Sequence, residues 1–185
     1  REQMRRKEMR SRYTWIGIVT LVAIFIAFLF IYPNFKPLGS ISTPEAISRP
    51  SVKFNGTGDP NAPIRIDEYS DFQCPYCANF VKTTEISLLE QFVATGKVYF
   101  VYHSFGKYIG SESVSTAEAA YCAGDQEKFW EMHDLIFENQ NGENTGQFSD
   151  RYLTALAETL NLDMTAFQSC FNGNTYKDLI TQDGL

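Results

Sequence analysis

The sequence predicts an α/β domain carried behind one membrane-spanning helix, with a β-α-β unit first and a wholly helical block after it. Three observations predict this. Eighteen uncharged, strongly apolar residues run from Trp15 to Tyr32. A strand-like stretch over 64–70 leads into a helical pattern that closes at Gly96 before a second strand over 98–103. Every later periodic segment has helical spacing. With 185 residues, 44% hydrophobic and 15% aromatic, the chain holds enough for one anchor and one compact domain with its own core.

Residues 1–14 hold Arg1, Arg5, Arg6, Lys7, Arg10 and Arg12 against Glu2 and Glu8, +4 in all, so the net −6 of the chain leaves −10 for the remainder. So acidic a domain is not a nucleic-acid binder. At ~1.5 Å per residue the run 15–32 covers about 27 Å, enough for the hydrocarbon core of a bilayer. Tyr13, Trp15 and Tyr32 stand where interfacial aromatics belong, and the basic tail lies on the N-terminal flank. The positive-inside rule therefore puts 1–14 in the cytoplasm and everything after Tyr32 outside. The competing reading is a cleaved signal peptide, but the apolar run exceeds the usual ~7 to 15 residues and no small-x-small site follows it.

Residues 33–52, with Pro33, Pro37, Pro44 and Pro50 among Ser and Thr, show no sustained period and predict a flexible tether. Asn55-Gly56-Thr57 matches a glycosylation sequon, although an ordinary turn is the better reading of so short a pattern. The domain proper is expected over 53–185. In it come strand 64–70, a helix from Cys74 or Pro75 to about Thr95 with Val81, Leu88, Leu89 and Phe92 at helical spacing, and strand 98–103 joined through Gly96. The block after about 111 reads as helices over 113–123, 127–139 and 150–160. Phe129, Met132, His133, Ile136 and Phe137 form the stripe of the second, and Leu153, Leu156, Ala157 and Leu160 that of the third. Ser149 and Asp163 read as N-caps, and 139–146 as a loop.

The chemistry is concentrated in Asp71-Phe72-Gln73-Cys74-Pro75-Tyr76-Cys77. At the first turn of a helix, two cysteines three apart place Cys74 toward solvent and Cys77 behind it. Pro75 suits the first helical position, where its missing N–H costs nothing. The helix terminus favours a thiolate at Cys74, which is both attacking species and leaving group, and Cys77 resolves the mixed disulfide. A Cys-X-X-Cys alone would fit half of a zinc site equally well, but the strand before it and the helix after it favour redox use.

These residues resemble the thioredoxin superfamily, and more closely the DsbA-like extracytoplasmic thiol oxidoreductases. The resemblance runs from about Gly58 to the end. It rests on Cys-Pro-Tyr-Cys, on Gly58-Asp59-Pro60-Asn61-Ala62-Pro63, on Glu68-Tyr69-Ser70-Asp71-Phe72, on Ala119-Ala120-Tyr121-Cys122-Ala123-Gly124, and on Lys128-Phe129-Trp130-Glu131-Met132-His133-Asp134. It implies a thioredoxin-like fold with a DsbA-type helical insertion, and disulfide formation in exported cysteine-containing proteins. It also implies a membrane redox partner of the DsbB or vitamin K epoxide reductase type for recycling. The same fold run as a reductase or isomerase, or an anchored module in which the motif is a static staple, are the alternatives. The family continues with two antiparallel strands, a cis-proline loop and a last helix. All seven prolines here lie at or before Pro75, so the chain is expected to be a fragment of a longer protein, open at both ends.

The resemblance gives Glu68 the part of a buried acid below the motif that exchanges a proton with Cys77, and alternation puts Ile64, Ile66 and Glu68 on one face. Asp67 and Asp71 read as surface charges. Tyr76, between the cysteines, is expected to stabilise the Cys74 thiolate less than the histidine of some relatives. Four cysteines permit three pairings. An oxidising compartment favours a structural disulfide between Cys122 and Cys170, as in some relatives, over two buried free thiols or a zinc site. His133 reads as a core residue in an apolar stripe, and His103, at a strand end, is a candidate for tuning the site. No phosphate-binding loop, nucleotide cofactor or metal-ligand spacing is evident.

Overall fold

Helix α1 runs over Glu2–Phe35, and within it Arg12–Phe30 is long and apolar enough to cross a membrane, with side chains such as Trp15 and Leu21 exposed. The computed structural model describes residues 2–35, 38–106 and 108–184, with side chains at 12–30, 38–106 and 108–184. Arg1, Lys36, Pro37 and the side chains of the basic tail before Arg12, of Tyr32 and of Pro33 therefore lie outside the described residues. The chain divides into two compact units, Arg1–Ser40 and Ile41–Leu185.

In the second unit, β1 (Gly56–Thr57), β2 (Ile64–Ser70) and β3 (Val98–Ser104) form one sheet in the order β1-β3-β2. β2 and β3 are parallel, from Ile64 opposite Val98 to Ser70 opposite Ser104, and β1 is antiparallel to β3. β1 was not expected, because two residues carry no period. Central β3 is buried at Val98, Phe100, Val101, Tyr102 and Ser104, which explains its unbroken apolar run. Gly58 follows β1 at φ 97°, where a Cβ would lie 2.7 Å from the Val98 carbonyl oxygen, so the turn both needs and has glycine.

The crossover is α2, the helical run 75–93. It begins as an α-helix over Pro75–Phe80 and then widens to π-type turns over Val81–Glu85 and Leu89–Val93, with Ile86–Leu88 between them. The wide turns re-phase the buried face. Val81, Glu85, Leu89 and Val93 point inward at a spacing of four, and Phe92, expected on that face, is rotated out to 43% exposure.

Among the described residues five helices follow: α3 (Ser111–Gly124), α4 (Phe129–Glu138), α5 (Asp150–Thr159), α6 (Met164–Gly173) and α7 (Lys177–Asp183). The small residues Ala117, Ala119, Ala120 and Ala123 bury α3 almost completely, and Gly124 lets the Phe54 ring approach where a Cβ would clash at 2.6 Å. Asp163 caps α6 by accepting from the Thr165 and Ala166 amides, whereas Ser149 holds the N-cap position of α5 with no side-chain capping bond. Seven-residue α7, held by buried Ile180, was not expected from its sparse pattern.

From Ile41 on, the stretch expected to be a flexible tether is instead packed against the domain. Ile41 and Ile47 contact the core, and Ser42 exchanges two 2.8 Å hydrogen bonds with the Asn139 side chain. The Arg49 side chain is 4% exposed, in ion pairs with Glu85 and Asp134. Those partners lie 36 and 85 residues away in sequence, which is why local composition reads the segment as free.

Candidate active site

β2 ends at Ser70, and the chain turns into α2 through a locked loop. The Cys74 amide donates to the Asp71 carbonyl oxygen at 2.9 Å, and the Gln73 amide to Asp71 Oδ1 at 2.9 Å. Cys74 is the N-cap residue, at φ −73° and ψ 120°, and Pro75 opens the helix. Asp71 is thus buried at 3% exposure rather than a surface charge, because it organises this turn; burial pushes its carboxyl up. The helical block holds the turn from the other side. Buried Gln73 donates through Nε2 to Ser113 Oγ at 2.8 Å and accepts from the Asn144 amide at 2.6 Å. Gln140 Nε2 donates to the carbonyl oxygens of Phe72 and Cys74, at 2.7 and 3.1 Å.

Both thiols of the motif are free and half-buried. Burial pushes the Cys77 thiol up, as does the neighbouring Cys74, while the Ser70 hydroxyl and the Asp71 backbone N–H pull it down. Cys74 and Cys77 line an open groove of about 670 Å³ with Tyr69, Tyr76, Phe105, Tyr108 and Ile109, and Tyr76 is 87% exposed.

Glu68 lies on β2 with its Oε2 buried and without a hydrogen-bond partner. Its carboxyl is pushed up to about 7, first by burial and also by Glu85, against the pull of His133, Ser70 and Arg49. Of the face expected to be buried with it, Ile66 is half-buried but Ile64, at the strand start, is 52% exposed. The Ser70 hydroxyl interacts with both Glu68 and Cys77 but meets strict hydrogen-bond geometry with neither.

Behind Glu68 lies an ionic set whose pairing of Arg49, Glu85 and Asp134 sequence reasoning missed, although it read the neighbouring His133 as a core residue. Arg49 donates to both Asp134 oxygens, at 2.7 and 2.8 Å, and to Glu85 Oε1 at 2.6 Å, with its guanidinium 4.5 Å from the Trp130 ring centre. His133 is fully buried, with Nδ1 2.9 Å from Asp134 Oδ1 and its ring edge-on to Phe72 and Tyr102. A signal for Glu85 existed: it is a carboxylate in line with the apolar residues Val81 and Leu89. His103 is placed apart, Nε2 2.8 Å from Asp67, Nδ1 3.2 Å from Asp183, and stacked on Tyr69 of the groove.

Cys122 of α3 and Cys170 of α6 are joined by a disulfide, Cα to Cα 5.8 Å across 48 residues of sequence. Glu118 Oε1 lies 3.9 Å from the Cys122 sulfur, and Asp125 Oδ2 3.7 Å from the Cys170 sulfur. Of these, Glu118, Cys122 and Cys170 cluster closely enough to share a metal ion, but sulfurs in a disulfide carry no thiolate to ligate it. The Asn55 amide donates to the Tyr102 carbonyl oxygen, and Thr57 is buried with its hydroxyl on the Pro50 carbonyl oxygen, so the sequon, expected to be an ordinary turn, runs from a turn at Asn55 into β1.

Known proteins share this architecture. BdbD from Bacillus subtilis superposes with a TM-score of 0.64 at 22% identity, over 73% of this chain and 75% of that one. Wolbachia pipientis alpha-DsbA1 superposes at 0.59 with 25% identity, over 70% and 65%. The fold is therefore the thioredoxin-like α/β fold of the DsbA structures. By sequence, the probable disulfide bond formation protein D of Bacillus cereus is 28% identical over 131 residues, 68% of this chain and 60% of that protein. The Na(+)/H(+) antiporter NhaA 1 of Salinispora arenicola is 37% identical over 111 residues, 60% of this chain and only 16% of that protein. The chain thus spans less than two thirds of the length of these curated relatives. The family model described as thioredoxin matches residues 54–184, from just before β1 through α7, and the chain belongs to that family.

Proposed function

We propose that this chain carries the redox centre of a membrane-tethered, extracytoplasmic thiol-disulfide oxidoreductase that forms disulfides in exported proteins. The observation that carries the reading is the setting of the motif: Cys74 at the helix N-cap on the edge of an open groove, Cys77 half-buried behind it, and a half-buried Glu68 with an enclosed Oε2 and a carboxyl pushed up to about 7. In the oxidised state a substrate thiolate attacks the Cys74 sulfur, the Cys74–Cys77 bond breaks, and Cys77 leaves as a thiolate that is protonated. The second substrate thiolate then attacks the mixed disulfide, forming the substrate disulfide and releasing reduced Cys74. Glu68 is the proton partner of Cys77, a role for which an acid with a carboxyl near neutrality suits. The exposed aromatics Tyr69, Tyr76 and Tyr108 offer apolar contact to an unfolded chain presenting its cysteine. Apolar Arg12–Phe30 supports a single-pass anchor, with the basic tail cytoplasmic and the catalytic domain outside. Recycling is assigned to a quinone-linked membrane partner of the DsbB or vitamin K epoxide reductase type.

The test is a redox titration of the Cys74–Cys77 pair in glutathione buffers, read by mass after alkylation. A midpoint near about −120 mV supports a disulfide donor, and one near about −270 mV makes the protein a reductase and overturns the oxidase assignment.

A further inference from the structure

The Cys122–Cys170 disulfide sits among metal-ligating side chains that the redox motif does not use. Glu118 and Cys122 stand four apart on one face of α3, and a Glu118 carboxylate oxygen and both sulfurs lie within 4.8 Å of one another. Glu118 is 2% exposed, and no ion pair among the described residues includes Glu118 or Asp125. Its Oε1 is oriented by the Tyr176 amide, which donates at 2.8 Å, while Oε2 is buried with no hydrogen-bond partner. Asp125 Oδ1 accepts from the Tyr176 hydroxyl, leaving Oδ2 to face the Cys170 sulfur at 3.7 Å. With the disulfide open, two thiolates would stand beside two carboxylates, a charge that only protons or a cation can neutralise.

Around a tetrahedral zinc, with bonds of about 2.3 Å to sulfur and about 2.0 Å to oxygen, sulfur and oxygen neighbours stand about 3.5 Å apart and two sulfurs about 3.8 Å apart. Glu118 Oε1 is already 3.9 Å from the Cys122 sulfur, so the main change needed is separation of the two sulfurs. Their Cα atoms are 5.8 Å apart, and rotation of the two side chains supplies that change. An open cavity of about 220 Å³, lined by Glu118 with Asp150, Asn172 and Asn174, gives an ion a polar way in.

We propose that the chain with Cys122 and Cys170 reduced binds one Zn²⁺ through both sulfurs and Glu118, with water in the fourth position and Asp125 adding negative charge beside it. Two thiolates and a carboxylate select zinc over calcium or magnesium, which take oxygen ligands. A chain is made with its cysteines as thiols, so the ion holds α3 to α6 before the disulfide does, and its binding releases the two thiol protons. Oxidation then displaces it. The two thiolates each give one electron to an incoming disulfide, their sulfurs join, the incoming disulfide takes up two protons and leaves as two thiols, and Zn²⁺ departs. The site shares no residue with the Cys74–Cys77 motif and does not depend on the exchange reading.

The experiment uses the full chain in detergent micelles, carrying Cys74→Ser and Cys77→Ser so that only Cys122 and Cys170 supply thiolates. A phosphine opens the disulfide under argon and is removed, and Zn²⁺ is titrated against a chromophoric chelator. One Zn²⁺ per reduced chain is expected and none per oxidised chain. Glu118→Gln, which keeps the acceptor for the Tyr176 amide, is expected to weaken binding by more than the roughly 10- to 100-fold of an outer-shell change, and Asp125→Asn by less. No uptake by the reduced chain, equal uptake by the oxidised chain, or a folded Glu118→Gln that binds as tightly as its parent each overturns the proposal. Zinc-edge X-ray absorption of the parent needs no further variant: two sulfur and two oxygen neighbours support the site, and any other number of sulfurs overturns it. If the reduced chain unfolds without metal, circular dichroism decides. Zn²⁺ that restores the helical signal supports the site, and a chain that stays unfolded at saturating Zn²⁺ overturns it.

Discussion

Cys74 and Cys77 stand at the start of a helix on the rim of an open groove, whereas Cys122 and Cys170 clamp α3 to α6 with a carboxylate beside each sulfur. The same bond type is therefore set in opposite electrostatic surroundings. Cys74 stands at the N-cap of α2, where a helix start presents the positive end of its dipole. Glu118 and Asp125 repel any thiolate that would form at Cys122 or Cys170, which disfavours reduction of that bond. On the exchange reading proposed above, the charge around the sulfur, more than the spacing of the cysteines, distinguishes the reactive pair from the staple.

The comparison breaks most plainly at Cys74. Cys74→Ser is expected to lower exchange with a reduced, unfolded substrate by at least ~1000-fold with the fold intact, and Cys77→Ser to accumulate mixed disulfides visible on non-reducing gels. Retained exchange in Cys74→Ser would leave the motif a second staple. Next comes the converse change. Replacing Cys122 and Cys170 together with Ser costs roughly 3 to 4 kcal/mol of stability by denaturant melts, while the Cys74–Cys77 potential stays put.

Glu68→Gln sharpens the contrast through pH. The wild-type carboxyl is held at about 7 against an ordinary 4.5, so the folded state keeps a proton that the unfolded chain releases between those values. Stability is then lost as pH rises from 4.5 through 7, by up to about 3 kcal/mol, and Glu68→Gln removes that loss. Thermal melts at pH 5 and pH 8 check it, and the resolving step of the variant should slow by about 10- to 100-fold. The smallest effect is expected from Glu118→Gln with Asp125→Asn. Neutral neighbours should make the Cys122–Cys170 bond about tenfold easier to reduce, near 30 mV, in a dithiothreitol titration.

Local patterns carried the parts of this architecture that local patterns create. The placement of Cys74, Pro75 and Cys77 at a helix start is legible because four consecutive residues carry it, and the β-α-β unit because its strands and helix have distinct periods. The inward placement of Glu68 was reachable by alternation. Arg49 was not, since its partners come from two distant helices and proline-rich flanks mask it. Asp71 misled for a related reason: an aspartate in a turn is usually solvated, and only the packed loop from the helical block, with Gln73, Asn144 and Gln140, buries this one. The wide turns of α2 moved Val93 into the place expected for Phe92, because a period of 3.6 was assumed where the backbone uses a larger one.

The chain has two tryptophans, Trp15 in the apolar helix and Trp130 in the domain. Trp130 is 2% exposed, lies under the Arg49 guanidinium at 4.5 Å, and meets the His133 ring edge-on at 5.1 Å. The emission of an indole packed this way depends on its immediate neighbours, so the domain contains its own optical reporter of the packing beneath the motif. With Trp15 replaced by Phe, steady-state fluorescence follows the packing beneath the motif without labels, and stopped-flow traces would time any rearrangement there against each sulfur exchange.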